Sequence, residues 1–172
     1  MKLSNDVFFA PISELAAMIR ERRISPVELT EGYLERLSSA GERLGAVAAV
    51  MRETALAEAR AAEREIRAGR YRGPLHGIPY GAKDLLATRH AATTWGAAPY
   101  RQQRFDFDAT VVERLRAAGA ILTAKLSMIE LAGGMGYNQA DACWSGACRT
   151  PWNKDHWSGG SSSGPVRPWP PD

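Results

Sequence analysis

The chain has 172 residues, which is long enough for one compact domain with a buried core. An apolar fraction of 45% and a charged fraction of 24% are typical of a soluble globular protein and exclude an intrinsically disordered chain. The net charge of +3 is small and the basic residues form no stripe with interleaved aromatic residues, so nucleic-acid binding is not predicted. No apolar run has the length of a membrane span or the pattern of a signal peptide, which predicts a cytoplasmic location.

The first third of the sequence predicts two helices. Residues 11–22 show amphipathic spacing, with Ser13 as the expected N-cap. The second helix starts with Ser25 at the N-cap, a Pro at the first helical position and Glu28 where a capping box requires it. Gly41 is expected to end this helix.

A short strand, a long helix and an extended segment come next. The apolar residues 46–51 predict a buried strand, and residues 53–68 predict a helix that ends at Gly69. Charges of both signs alternate along this helix and predict a solvated face: Glu58, Arg60, Glu63, Arg64, Glu65, Arg67 and Arg70. Residues 77–82 predict extended backbone that leads to Lys83.

The next part of the chain repeats the alternation of helix and strand. Asp108 is expected to cap a helix that runs to Gly119, and residues 120–124 resume as a strand. Strand, helix and strand in succession predict an α/β fold with some parallel strand pairing. From Gly133 onward the sequence is rich in Gly, Ser, Asn, Trp and Pro, which predicts loops.

Two cysteines lie in this loop-rich part, Cys143 and Cys148, with His156 downstream. In a cytoplasmic chain they are expected to be free thiols. A structural zinc site is not predicted, because no fourth ligand is evident and the C-x4-C spacing is looser than that of such sites.

Four segments follow one another in a specific order: Gly-Pro-Leu-His-Gly-Ile-Pro at 73–79 with Lys83-Asp84 after it, residues 108–120, residues 125–132, and Gly-Gly-Ser-Ser-Ser-Gly at 159–164. Together they resemble the amidase signature family, hydrolases and amidotransferase subunits that use a Ser-Ser-Lys triad. Residues 125–132 match the family pattern Lys-x-Asn-x-x-Glu-x-Ala, with Ser127 in place of Asn. The resemblance implies the N-terminal part of the amidase-signature fold, an α/β architecture with a mixed sheet covered by helices, which is incomplete in this chain.

Amide hydrolysis needs an activated hydroxyl, because a free serine is a poor nucleophile at neutral pH. A lysine can take the proton of that hydroxyl only when burial or neighbouring dipoles lower its pKa. Lys83 follows the uncharged residues 78–82, which is compatible with a buried lysine. Without the resemblance, a surface or ion-paired lysine is the better interpretation.

The resemblance implies that Lys83 and Ser161 are catalytic residues. It makes Lys83 the base and Ser161 a proton relay, preceded by a cis peptide bond, between the lysine and the nucleophile. Taken alone, residues 159–164 are equally compatible with a flexible linker, whereas a phosphate-binding loop is disfavoured because the Gly-Lys-Ser/Thr ending is absent. The family nucleophile is a further serine in a later Gly-Gly-Ser loop, which by the family spacing lies past Asp172.

The sequence is therefore expected to consist of two regions that differ in composition and origin. Residues 1–164 are interpreted as the N-terminal portion of a single amidase domain, and residues 165–172 as a Pro-rich tail produced by a frame error. If residues 167–172 are written CGG CCG TGG CCG CCG GAC, reading from the third base gives Ala-Val-Ala-Ala-Gly. Members of the family carry such an Ala-rich helix directly after the serine loop.

The expected function is that of a fragment of a hydrolase that cleaves carboxylic amide C–N bonds, inactive as it stands for lack of the nucleophile. The alternatives are a fragment of the glutaminase subunit of a tRNA-dependent amidotransferase and a non-enzymatic remnant. The complete relative is expected to take a small-molecule amide, to need no cofactor or metal, and to contact neither nucleic acid nor membrane. A homodimer and assembly with amidotransferase subunits are both compatible with the sequence.

Overall fold

Three strands form a mixed sheet at the centre of the protein. The structure, a computed structural model, describes residues 3–133 and 143–165. The strand order is β1 (Val47–Val50), β3 (Ile121–Leu126), β2 (Pro79–Lys83), with β1 antiparallel and β2 parallel to β3. The α/β class and the parallel pairing predicted from the sequence are therefore confirmed.

The described residues contain four α-helices: α1 (Ile12–Arg20), α2 (Pro26–Arg36), α3 (Arg52–Arg67) and α4 (Thr110–Ala117). Short 3-10 turns occupy Asn5–Phe9, Ala98–Tyr100 and Glu130–Ala132, and a π-helical turn occupies Leu37–Gly41. Among the described residues, no helix is both long enough and apolar enough to cross a bilayer.

The core lies where the helices pack on one another and on the middle strand. The first five residues of β3 are all buried, because β3 has a strand on each side and helices above it. The face of α3 that packs on the sheet is lined with alanine, including Ala55 and Ala59, and these small side chains allow close contact with Leu34 and Ile121. A second cluster joins α1 and α2 to the end of α3 through Ile19, Leu29 and Ile66 among others.

The predicted cap of α2 is confirmed and that of α1 is wrong. Ser25 Oγ accepts hydrogen bonds from Val27 N at 2.9 Å and Glu28 N at 3.4 Å, and the Glu28 carboxylate accepts from Ser25 N at 3.1 Å. Ser13 instead lies inside the first turn of α1, because the N-cap residue is Pro11, two residues earlier than expected.

Two other predicted helix ends also differ from the structure. Asp108 does not cap α4; its carboxylate binds Arg116 and accepts a hydrogen bond from Arg89 N, so it joins two segments of the chain. Gly41 does not end the second helix, because helical backbone continues through the π turn to residue 43. The chain turns at Gly45, whose φ of +63° is in the left-handed region that glycine favours.

The charged face of α3 is solvated only in part. Its arginines are exposed as predicted, but the glutamates are half-buried and bind other segments. Glu58 pairs with Arg116, and Glu65 pairs with Arg72. In the loop-rich part, residues 134–142 lie outside the described residues, as do residues 166–172 of the Pro-rich tail, and the remainder contains one isolated bridge between Arg149 and Trp157.

Candidate active site

Lys83 is the last residue of β2 and lies opposite Leu126 in the parallel pairing with β3. Its amine is 2.8 Å from the hydroxyl oxygen of Ser161, which comes from a segment 78 positions later in the chain. The structure therefore brings together the two residues singled out from the sequence. At this distance an ammonium donates to the hydroxyl and a free amine accepts from it, so a proton can pass between the two groups.

The environment of Lys83 makes its ammonium more acidic than that of a lysine in water. The side chain is half-buried, and burial lowers the pKa of its ammonium because charge is less stable away from water. No carboxylate is among the causes of this shift. A lysine whose pKa is lowered in this way is suited to accept a proton.

The serine loop, residues 159–164, is held by the backbone that follows β3. Ile129 N donates to Ser161 O at 3.0 Å, and Gly164 N donates to Ser127 O at 2.9 Å. Two backbone hydrogen bonds thus bracket the loop and fix Ser161 opposite the end of β2. The peptide bond between Gly160 and Ser161 is cis, as the resemblance implied.

Two glycines let this loop approach the strand closely. A Cβ atom on Gly160 would lie 2.6 Å from Ile129 Cγ1 and would also contact Ile129 Cδ1. A Cβ atom on Gly164 would lie 2.9 Å from Ser127 N and would overlap the carbonyl oxygen of Ala46. The glycines are therefore required by close packing of the loop, which a flexible linker would not need.

The serine loop also contacts the segment that precedes it in the chain. Ser163 is buried, and its carbonyl oxygen accepts from Ser158 Oγ at 3.1 Å and lies 3.5 Å from Cys148 Sγ. Cys148 is thus part of the packing under the loop, and Cys143 and Cys148 are not joined in a disulfide. Within residues 3–133 and 143–165, no three His, Cys, Asp or Glu side chains are grouped so that they could hold a metal ion.

Sequence reasoning missed a buried ionic network beside Lys83. Lys125, fully buried in the middle strand, has its amine 3.0 Å from Oδ1 of Asp84, which is 1% exposed. Thr93 and Thr94 complete the network, the first by accepting from Lys125 Nζ at 2.8 Å and the second by donating to Asp84 Oδ2. The opposite charges at residues 84 and 125 are visible in the sequence, but neither segment shows that they pair.

Ser127, which stands where the resemblance implies Asn, is a buried residue. Its side chain is 2% exposed, and its hydroxyl has no hydrogen-bond partner among the described residues. The backbone of Ser127, by contrast, donates to Ala46 O and accepts from Gly164 N. The contribution of this residue to the site thus comes from its main chain.

Comparisons with known proteins identify the family of this chain. The family model described as Amidase matches residues 28–165. AmiD of Mycobacterium tuberculosis, a protein named as an amidase, is 44% identical over 153 residues, which cover 89% of this chain and 31% of that protein. A glutamyl-tRNA(Gln) amidotransferase subunit from Anaeromyxobacter dehalogenans is 38% identical over 153 residues, with 89% and 30% covered.

Solved structures show the same relationship. The native peptide amidase from Stenotrophomonas maltophilia superposes with a TM-score of 0.83 at 35% identity, over 90% of this chain and 32% of that one. The chain therefore spans about a third of the length of the relatives it matches, and its fold is the corresponding part of theirs. Because the family model covers most of the sequence, the chain belongs to the amidase family.

Proposed function

We propose that this chain supplies the lysine and the relay serine of a Ser-Ser-Lys amide hydrolase. The observation that carries the proposal is the contact of 2.8 Å between Lys83 Nζ and Ser161 Oγ, made by a lysine whose pKa is lowered by burial. In the complete protein, Lys83 takes the proton of Ser161 as Ser161 takes that of the nucleophilic serine. The activated serine attacks the amide carbonyl, the C–N bond breaks, and the amine leaves with the proton returned from Lys83 through Ser161, which gives an acyl-enzyme. Water or ammonia then attacks the acyl group, which releases the serine and gives the acid or a new amide.

The nucleophile is proposed to lie outside this sequence. Ser162 and Ser163 belong to the same loop as Ser161, and Ser163 is buried beneath it. The 172 residues are therefore expected to be inactive alone. A continued chain, in which Ala-Val-Ala-Ala-Gly and the residues that follow in that frame replace residues 167–172, is expected to be active. We place the complete protein in the cytoplasm, with a small amide as substrate and no cofactor.

Amide hydrolysis by the continued chain tests the proposal. Lys83→Ala and Ser161→Ala are expected to lower kcat/KM for a chromogenic amide by a factor of about 10² to 10⁴, the usual contribution of general base catalysis. Lys154→Ala is the matched control, since Lys154 is exposed and lies in the loop region before the serine loop. Full activity of the Lys83→Ala variant would contradict the role of Lys83, and Lys83-dependent turnover by the 172-residue chain would contradict the external nucleophile.

A second candidate function is the glutaminase reaction of an amidotransferase. The 38% identity with the glutamyl-tRNA(Gln) amidotransferase protein of Anaeromyxobacter dehalogenans supports it. Release of ammonia from glutamine by the continued chain, measured with and without partner subunits, distinguishes this function from that of a stand-alone amidase. Hydrolysis of simple amides without any partner favours the stand-alone amidase.

A further inference from the structure

Asp84 follows the proposed base Lys83, and both its backbone groups and its carboxylate contact other residues. Its backbone N donates to Leu126 O at 2.9 Å, and its carbonyl oxygen accepts from Trp95 N at 3.4 Å. Its carboxylate accepts from Thr94 N at 3.0 Å and from the Thr94 hydroxyl, and it lies 3.0 Å from Lys125 Nζ. The backbone from which the Lys83 side chain starts is therefore held from several directions.

Lys125 is the most deeply buried charged side chain among the described residues, with 0% exposure. Its amine has three neighbouring acceptors: Asp84 Oδ1 at 3.0 Å, Thr93 Oγ1 at 2.8 Å and Ala92 O at 3.4 Å. Two of these contacts are hydrogen bonds donated by the ammonium, to Thr93 and Ala92, and the contact with Asp84 is an ion pair. The amine therefore connects the middle strand, the end of β2 and the segment at 92–94.

The segment that begins at Lys125 also binds Ser161. Lys125 lies opposite Ala82 in the parallel pairing, one position before the pair of Lys83 and Leu126. Four residues after Lys125, Ile129 N binds Ser161 O. Residues 125–129 thus contain both Lys125, which binds the residue next to Lys83, and Ile129, which binds Ser161. This segment therefore sets the distance between Lys83 and Ser161.

Stability alone gives little reason for a buried ion pair at this place. Removing two charges from water is unfavourable, and well-packed apolar residues are often equally stabilising or more so. A fixed ion pair does supply a defined direction and distance, which apolar contacts supply less well. A proton transfer over one hydrogen bond requires such a defined geometry.

We propose that Lys125 and Asp84 form a positioning pair that holds Lys83 at hydrogen-bonding distance from Ser161. The inference rests on the proposed function, in which Lys83 is the base. Neither residue of the pair takes part in proton transfer; both act through the backbone of β2 and β3. Loss of the pair releases Lys83 from its half-buried position toward solvent.

The test is competitive acetylation of the 172-residue chain with acetic anhydride, read out by mass spectrometry. A short peptide with one lysine and a blocked N-terminus is added as a reference amine. The rate of Lys83 acetylation relative to the reference is measured from pH 6 to 11, and its pH midpoint reports the pKa of Lys83. In the variants that keep Lys125, protection of its amine reports in the same sample whether the core is folded, and circular dichroism reports this for every variant.

In the parent chain the midpoint for Lys83 is expected below that of the reference peptide. In Asp84→Asn/Lys125→Met, which removes both charges together, we expect the midpoint to rise to that of the reference while circular dichroism keeps the native signal. A rise of one unit corresponds to a drop in labelling at pH 8 on the order of tenfold. Thr93→Val keeps both charges and the shape of residue 93, and a smaller shift in the same direction is expected.

Asp108→Asn/Arg116→Met is the matched control, because it removes an ion pair that has no contact with Lys83. It is expected to leave the Lys83 midpoint unchanged. A native signal with an unchanged midpoint in the double variant of the positioning pair overturns the inference. If that variant does not fold, an unchanged midpoint in Thr93→Val overturns it instead. A parent chain whose Lys83 already titrates like the reference argues against the proposed function itself.

Discussion

Gly160 determines how closely the serine loop can approach Ile129 in the segment that follows β3. A methyl group at this position would press against Ile129 and lie 3.1 Å from an atom of the Trp157 ring. We expect Gly160→Ala to lower the free energy of unfolding by about 1–3 kcal/mol, the usual range for added volume in a packed site. Urea unfolding followed by tryptophan fluorescence measures this change.

The same substitution is expected to weaken the contact between Lys83 and Ser161, because Ile129 N is the donor that holds Ser161 O. Ile129→Val provides a compensating change, since it removes the Cδ1 atom that the new methyl group would contact. Gly160→Ala/Ile129→Val is expected to regain part of the lost stability. A Gly160→Ala variant as stable as the parent would show that the loop packs differently.

The start of α2 offers a matched pair of serine substitutions. Ser25 Oγ accepts from two backbone N–H groups of the first turn and donates to Glu63 at 2.6 Å. Ser25→Ala is expected to lower stability by about 1 kcal/mol, as for the loss of an N-cap side chain. Ser13→Ala, at an exposed position inside α1, is expected to change it by less than about 0.5 kcal/mol. Equal effects in thermal unfolding would contradict this assignment of the caps.

The two serines also show what the sequence can and cannot predict about the helices and strands. Ser25 was identified because Pro and Glu28 stand at fixed positions after it, so several local signals agree. Ser13 has no such support, and Pro11, with its fixed φ, begins the helix earlier. The carboxylate of Asp108 binds Arg116 and does not cap the helix. No local sequence pattern indicates this contact.

In the candidate site, too, local motifs were predictable from the sequence and tertiary contacts were not. Lys83 and Ser161 were found because ordered motifs surround them, and their contact agrees with the resemblance. The ion pair of Lys125 with Asp84 was missed because it depends on the parallel register of β2 and β3. This register cannot be read from the sequence of either segment. Pairing across a sheet is set by the whole fold, so its partners become visible only in the structure.

The stability of the protein as a whole is expected to depend on pH through His76. This side chain is fully buried where the end of α3 meets the turn before β3: its Nδ1 accepts from Arg72 N at 3.1 Å, and its Nε2 is 3.3 Å from Glu65 Oε2. Burial is the main cause that lowers the pKa of His76; the Arg72 cation lowers it further, and the Glu65 carboxylate opposes both. The folded protein therefore resists the proton that the unfolded chain accepts.

A group whose pKa is depressed by folding contributes stability above its unfolded pKa, and that stability is lost as the pH falls toward the folded pKa. For His76 the unfolded value is 6.5, so the urea midpoint of unfolding is expected to be constant near pH 8 and to fall as the pH decreases below about 6.5. His76→Gln is expected to be less stable at pH 8 but to show a smaller decrease with pH. His90→Gln, at an exposed position, is the control and should keep the decrease of the parent chain. An identical decrease in His76→Gln and the parent would show that protonation of His76 is not the cause.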